Sequence, residues 1–141
     1  MLLLRARDTA MARFRPILHE QGLTEQQWRV LRALEDLGPM TAAGVARECS
    51  ILAPSMTRIL RKLSELKLIS TNRSKNDQRE MVVRMTAKGK RMVDTIAPKV
   101  ELEYARIRQQ LEPENLASLT TELKRLIDLG HASEVGVENV Q

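Results

Sequence analysis

Apolar residues recur with a period near 3.6 through most of this chain and with a period of two in one stretch, and the switch between them outlines its elements. The sharpest stripe is Met56, Ile59, Leu60, Leu63 and Leu66, spaced i, i+3, i+4, i+7 and i+10, which is the buried side of an amphipathic helix. Upstream, Leu3, Ala6, Ala10, Phe14 and Ile17 line one side of a helix over 2–20. Pro16 predicts a kink or an early end there, and Gly22 a stop. Thr24 suits the N-cap of a second helix, with Gln27 three residues on to complete a capping box. Val30, Leu31, Leu34 and Leu37 form its apolar face, and Gly38-Pro39 ends it.

Thr41 caps a short helix, TAAGVARE, with Val45 and Ala46 inward and Gly44 weakening it. The turn CSIL leads to Ala53-Pro54, and proline fits the first turn of the helix that follows. Ala53 is a poor cap, which sets that boundary only to within a residue or two. Past Leu68-Ile69 the period falls to two. Met81, Val83 and Met85 alternate with Glu80 and Arg84, so STNRSKNDQREMVVRM reads as a hairpin turning at Lys75-Asn76-Asp77-Gln78. Thr86 caps a long helix to about Leu111, in which Pro98 predicts a kink, with Val100, Tyr104, Ile107 and Leu111 on one side. Pro113 opens a last helix carrying Leu116, Leu119, Leu123 and Leu126, while residues 131–141 lack periodicity and are expected to be disordered. The expected fold is mainly α with a small β-hairpin.

Two short helices joined by a tight turn, then a basic hairpin, make a winged helix-turn-helix over 23–86. Opposite the Met56–Leu66 stripe stand Ser55, Thr57, Arg58, Arg61 and Lys62, the side-chain types that reach phosphates and base edges. Arg73, Lys75 and Arg79 fall near the tip of the wing, within reach of phosphate or a minor groove. The flanking helices, 1–22 and 87–130, offer more apolar surface than so small a head can cover. Burial against a second copy is the economical solution, which makes them dimerisation helices. Two recognition helices then meet half-sites about one DNA turn apart, and double-stranded DNA with a palindromic operator is the expected partner.

Charge sharpens this picture. The net charge of the 141 residues is +5, but residues 58–91 hold eleven Lys/Arg against Glu65, Asp77 and Glu80. The remainder has 12 basic and 15 acidic residues, so the positive charge is concentrated where a polyanion would sit. An acidic protein partner in place of DNA is the rival reading of that face. Only Phe14, Trp28 and Tyr104 are aromatic, which leaves leucines and seven methionines to fill the interior. The single cysteine, Cys49, excludes an intrachain disulfide, and three leucines before the charges of MLLLRARD are too few for a signal peptide or membrane span. A soluble cytoplasmic protein is expected. No nucleophile with a partnered base, glycine-rich phosphate loop or metal-ligand spacing is present, His19 and His131 lying far apart, so neither an enzyme nor a cofactor or metal is expected.

The order of these elements resembles the multiple antibiotic resistance regulator (MarR) family of winged-helix repressors. The resemblance covers roughly 1–129 and rests on GLTEQQWRVLRAL, PSMTRILRKLSELKLI, NDQREMVVRMTAKGK and IAPKVELEY. Within that family QQWRVLRAL, the DQR wing and IAP-x-x-E-x-x-Y are similar to regulators of homoprotocatechuate-type aromatic-acid catabolic operons. The resemblance implies a homodimeric repressor released from DNA by a small aromatic carboxylate. A family member answering an antibiotic, an oxidant or a lipid is the alternative. Ser55, Thr57, Arg58 and Arg61 match the family's recognition positions, and Asp77 and Arg79 its wing pair, in which the aspartate orients a minor-groove arginine. Asp77 is also an ordinary turn former, and Glu80 departs from a second basic residue common in relatives. For the effector, Arg13, Arg15, His19 and Trp28 are the candidate pocket residues, an arginine for the carboxylate and the indole for a wall. The plain alternatives are solvated arginines and a core tryptophan. Cys49 has only Arg47 nearby to lower its pKa, so burial as a small hydrophobe is expected over oxidant sensing.

Overall fold

The computed structural model of the chain describes residues 1–74 and 79–135, with side chains as far as Gly130. Its elements, in order, are α1 (Leu2–Glu20), α2 (Glu25–Leu37), β1 (Met40–Thr41), α3 (Ala42–Glu48), α4 (Ala53–Glu65), β2 (Ile69–Arg73), β3 (Met81–Met85), α5 (Ala87–Gln110) and α6 (Pro113–Val135). Three of the helices start where a threonine was expected to cap them. Thr24, Thr41 and Thr86 each accept the N–H of the residue three further on, and the Gln27 side chain returns a bond to the Thr24 N–H, completing the capping box.

The core of the first unit gathers Leu18 of α1, Leu23, Val30 and Leu31 at α2, Val45 of α3, Leu63 of α4, Leu68, Val83 of β3, and Val93 and Ile96 of α5, all fully buried. The chain divides into two compact units, Met1–Glu101 and Leu102–Gln141. Phe14 and Leu18 of α1, with Val93, Ile96 and Val100 of α5, belong to the same core as the helix-turn-helix. Ion pairs from Lys99 to Glu20 and from Lys90 to Glu35 tie α5 to α1 and α2 within this unit.

Several expectations are corrected. α1 does not end early at Pro16 but runs on to Glu20, while α5 continues past Pro98 to Gln110, close to its expected end at Leu111; buried residues flank each proline. Of the expected α1 stripe only Phe14 is buried; Leu3, Ala6 and Ala10 are exposed and Leu18 takes the inward place. α4 begins at Ala53, with Leu52 as its N-cap and Pro54 in the first turn, and Leu66 is a half-buried C-cap. α6 extends to Val135, five residues into the stretch expected to be disordered, and residues 136–141 lie outside the described ones. The sheet has a third strand that the sequence did not suggest, in the order β1-β3-β2. Antiparallel pairing sets Met40 opposite Val83 on one edge and Thr71 opposite Val83 on the other. Of the alternating methionines and valine only Val83 is buried; Met81 is exposed.

α6 buries no described side chain, and Leu119, Leu123, Leu126, Ile127 and Leu129 are all exposed. In the other unit Met1, Leu2, Leu3 and Leu4 are likewise exposed. No helix among the described residues is long and apolar enough to cross a membrane.

Candidate nucleic-acid interface

α4 is positioned by the turn that precedes it. α3 ends at Glu48 with Cys49 as its C-cap, Ser50 adopts a left-handed conformation (φ 51°), and the Ile51 N–H bonds back to the Ala46 carbonyl at 2.9 Å. Such a closure satisfies the last carbonyls of the helix while reversing the chain. From α2, one nitrogen of Arg29 donates to the Cys49 carbonyl at 2.8 Å and another to Glu25 at 2.9 Å. This guanidinium therefore fixes the helix-turn-helix corner against α2. Its role was not legible in the sequence, where Arg29 is one charged residue on a polar face.

Met56, Ile59, Leu60 and Leu63 bury the inner side of α4. That leaves Ser55, Thr57, Arg58, Arg61 and Lys62 exposed, as their spacing predicts. Thr57 donates its hydroxyl to the Ala53 carbonyl at 3.1 Å, which leaves the oxygen free to accept. Lys62 pairs with Glu65 at 3.5 Å. Arg58 and Arg61 engage no acidic side chain among the described residues. Two unneutralised guanidinium groups three residues apart on one exposed face are well suited to a polyanion or to guanine edges. An open cleft of about 330 Å³ runs beside them, lined by Thr24, Gln26, Gln27, Arg58, Ile59, Arg61, Lys62 and Glu65.

In the wing, β2 and β3 pair from Ile69 opposite Met85 to Arg73 opposite Met81, and the Ser74 N–H donates to the Glu80 carbonyl at 2.8 Å. Arg73, Arg79 and Arg84 are exposed along it. Lys75 and Asp77, and the turn Lys75–Gln78 as a whole, lie outside the described residues.

The four candidate pocket residues occupy different settings. Arg15 is half-exposed and bonded to Asp8, with Glu25 at 3.8 Å, and its hydrogen bond and charge hold the Asp8 carboxyl below the usual carboxylate range. Arg13 is half-buried, His19 exposed. Trp28 of α2 is buried, with the Arg32 guanidinium 5.9 Å from its ring centroid. Glu25 accepts from Arg7 as well as Arg29, so it joins α1 to the corner that sets α4.

Cys49 is 2% exposed, and burial pushes its thiol above the ordinary value, outweighing the nearby Arg29 charge. Native protein is therefore expected to resist iodoacetamide at pH 8 and to react once unfolded. Because the folded pKa is the higher one, stability is complete below the unfolded thiol value, about 8.5, and falls as pH rises from there. Denaturation of wild type and Cys49→Ala between pH 7 and pH 10 should show only the wild type losing stability from this source. Rapid labelling of the folded protein would contradict the burial. Among the described residues no group of three or more His, Cys, Asp or Glu is placed to hold a metal ion.

The MarR family model matches residues 21–80. The chain is 34% identical over 129 residues to the HTH-type transcriptional regulator FarR of Neisseria gonorrhoeae, covering 89% of this chain and 88% of that protein. It is 35% identical over 132 residues to the homoprotocatechuate degradative operon repressor of Escherichia coli, covering 94% and 89%. Among solved structures, NadR in complex with 4-hydroxyphenylacetate superposes with a TM-score of 0.78 at 35% identity over 88% of each chain.

Proposed function

The chain belongs to the MarR family of transcription regulators, and from that premise we propose that it is a dimeric repressor of an aromatic-acid catabolic operon in the cytoplasm, released from its operator by a small phenolic acid. The observation that carries the DNA reading is the exposed outer face of α4, where Arg58 and Arg61 have no acidic partner among the described residues and stand beside Ser55 and Thr57. In this reading those four side chains and Lys62 meet the major groove, while Arg73, Lys75, Asp77 and Arg79 serve the flanking minor groove and phosphates.

Dimerisation accounts for the leucines that neither unit covers, those of α6 and those at the start of α1. A two-fold dimer then calls for a palindromic site. The ligand class is supported by two relatives, one a homoprotocatechuate degradative operon repressor and the other, NadR, holding 4-hydroxyphenylacetate. We assign the ligand's carboxylate to Arg13 or Arg15 of α1, with His19 and Trp28 of the same unit as the further pocket candidates, since a guanidinium offers a carboxylate a two-pronged bond.

Fluorescence anisotropy on the DNA upstream of the protein's own gene, with and without 3,4-dihydroxyphenylacetate and 4-hydroxyphenylacetate, tests the proposal. Sequence-specific binding that either acid reverses is the expected result. Specific binding that neither reverses would sink the ligand class and favour another signal. Equal binding to random DNA of the same length would sink the repressor itself.

A further inference from the structure

The tip of α4 is apolar where the rest of its outer face is basic. Leu52, the N-cap, is 80% exposed, and Ala53 and Pro54 behind it are exposed as well. Outside the first residues of α1, no large apolar side chain described in Met1–Glu101 is as exposed as Leu52.

Leucine is also the wrong residue for the place. An N-cap usually carries Ser, Thr, Asp or Asn to accept an orphan N–H of the first turn. α2, α3 and α5 are each capped by a threonine in this way, whereas Leu52 makes no capping bond. The chain thus forgoes a cap and exposes an isobutyl group at the same position. Two local costs at one surface residue mark a site kept for contact rather than for folding.

What the contact is follows from where α4 points. If α4 enters the major groove, its N-terminal residues face base edges, and the apolar group presented there is the C5-methyl of thymine. We infer that Leu52, backed by Ala53 and Pro54, reads thymine methyl groups in the operator and so sets base preference beyond the arginine contacts. This rests on the operator reading above.

The test replaces operator thymines one at a time with deoxyuridine, which removes the methyl and keeps the hydrogen-bonding edge. Wild type is expected to lose about fourfold in affinity at each methyl in contact. Leu52→Ser should lose that discrimination while its Tm rises by a few degrees, because serine supplies the missing cap. Leu52→Ala should lose the discrimination without the gain in Tm. Operator preference that is retained with equal affinity for thymine and uracil, or discrimination that survives in both variants, overturns this inference alone. Binding with no sequence preference overturns it together with the operator reading.

Discussion

Gly89→Ala is expected to destabilise the protein by about 2–3 kcal/mol, lowering Tm by roughly 6–12 °C, although alanine is the better helix former. Gly89 lies in the first turn of α5 and donates its N–H to the Thr86 hydroxyl oxygen at 3.0 Å. A Cβ there would run into the Leu68 carbonyl oxygen, well inside contact distance, and come within 2.8 Å of the Met85 side chain. Met85 can swing aside, but Leu68 is pinned. Its N–H bonds to the Leu63 carbonyl at 3.0 Å after Lys67 turns through a left-handed conformation (φ 60°), and its own carbonyl accepts the Thr86 N–H at 3.1 Å. Thr86 also donates its hydroxyl to the Lys67 carbonyl at 2.7 Å. Shifting this backbone would loosen the end of α4, the base of the wing and the cap of α5 together. The helix-propensity gain of about 1 kcal/mol offsets only part of that cost. Gly130→Ala in α6 is the matched control, since nothing lies within 4 Å of its added carbon, and it should be neutral or slightly stabilising. Thermal unfolding followed by circular dichroism checks both, and an unchanged Tm for Gly89→Ala would contradict the close approach.

That contact also shows where reading a sequence runs out. The caps at Thr24, Thr41 and Thr86 were legible because cap and recipient lie three residues apart. Likewise the α4 stripe was legible because amphipathic spacing is local. β1 was not, being two residues long and paired with a strand some forty residues on. The early end that Pro16 suggested fails for a related reason. Pro16 and Pro98 weaken a helix locally, but Phe14 and Leu18, and Ile96 and Val100, are buried on either side and carry the helix through. Local rules gave the tendency, and tertiary burial decided the outcome.

The interface divides the same way. Arg58 and Arg61 could be found from their place opposite the apolar stripe, whereas Arg29 works through a carbonyl 20 residues away and left no pattern. Arg15 is bonded to Asp8, two helical turns before it, so a ligand carboxylate would share that guanidinium with Asp8. Leu52 was passed over because a single apolar residue in a turn carries no periodicity. Only its exposure at the tip of α4 sets it apart.

Arg61→Ala should weaken operator binding by about 1–3 kcal/mol, roughly 5- to 150-fold, and relax base preference at the position it reads. The argument runs from its surroundings. Arg61 is exposed and engages no acidic side chain among the described residues, so no ion pair within the protein is broken by its removal and Tm should hold. Arg58, one turn earlier on the same face, should behave alike. Lysine is not expected to rescue either, because a point charge cannot make the paired bonds of a guanidinium to guanine. Lys62→Ala provides the contrast. It sits on the flank of α4 toward Glu65, where a phosphate contact would be lost uniformly across sequences, reducing the slope of log K against log salt by about 1. Titrations of wild type and the three alanine variants, against operator and scrambled DNA at several salt concentrations, separate the two roles. Full rescue by Arg61→Lys would reassign Arg61 to the phosphates, and an Arg61→Ala isotherm unchanged in both affinity and preference would remove it from the interface.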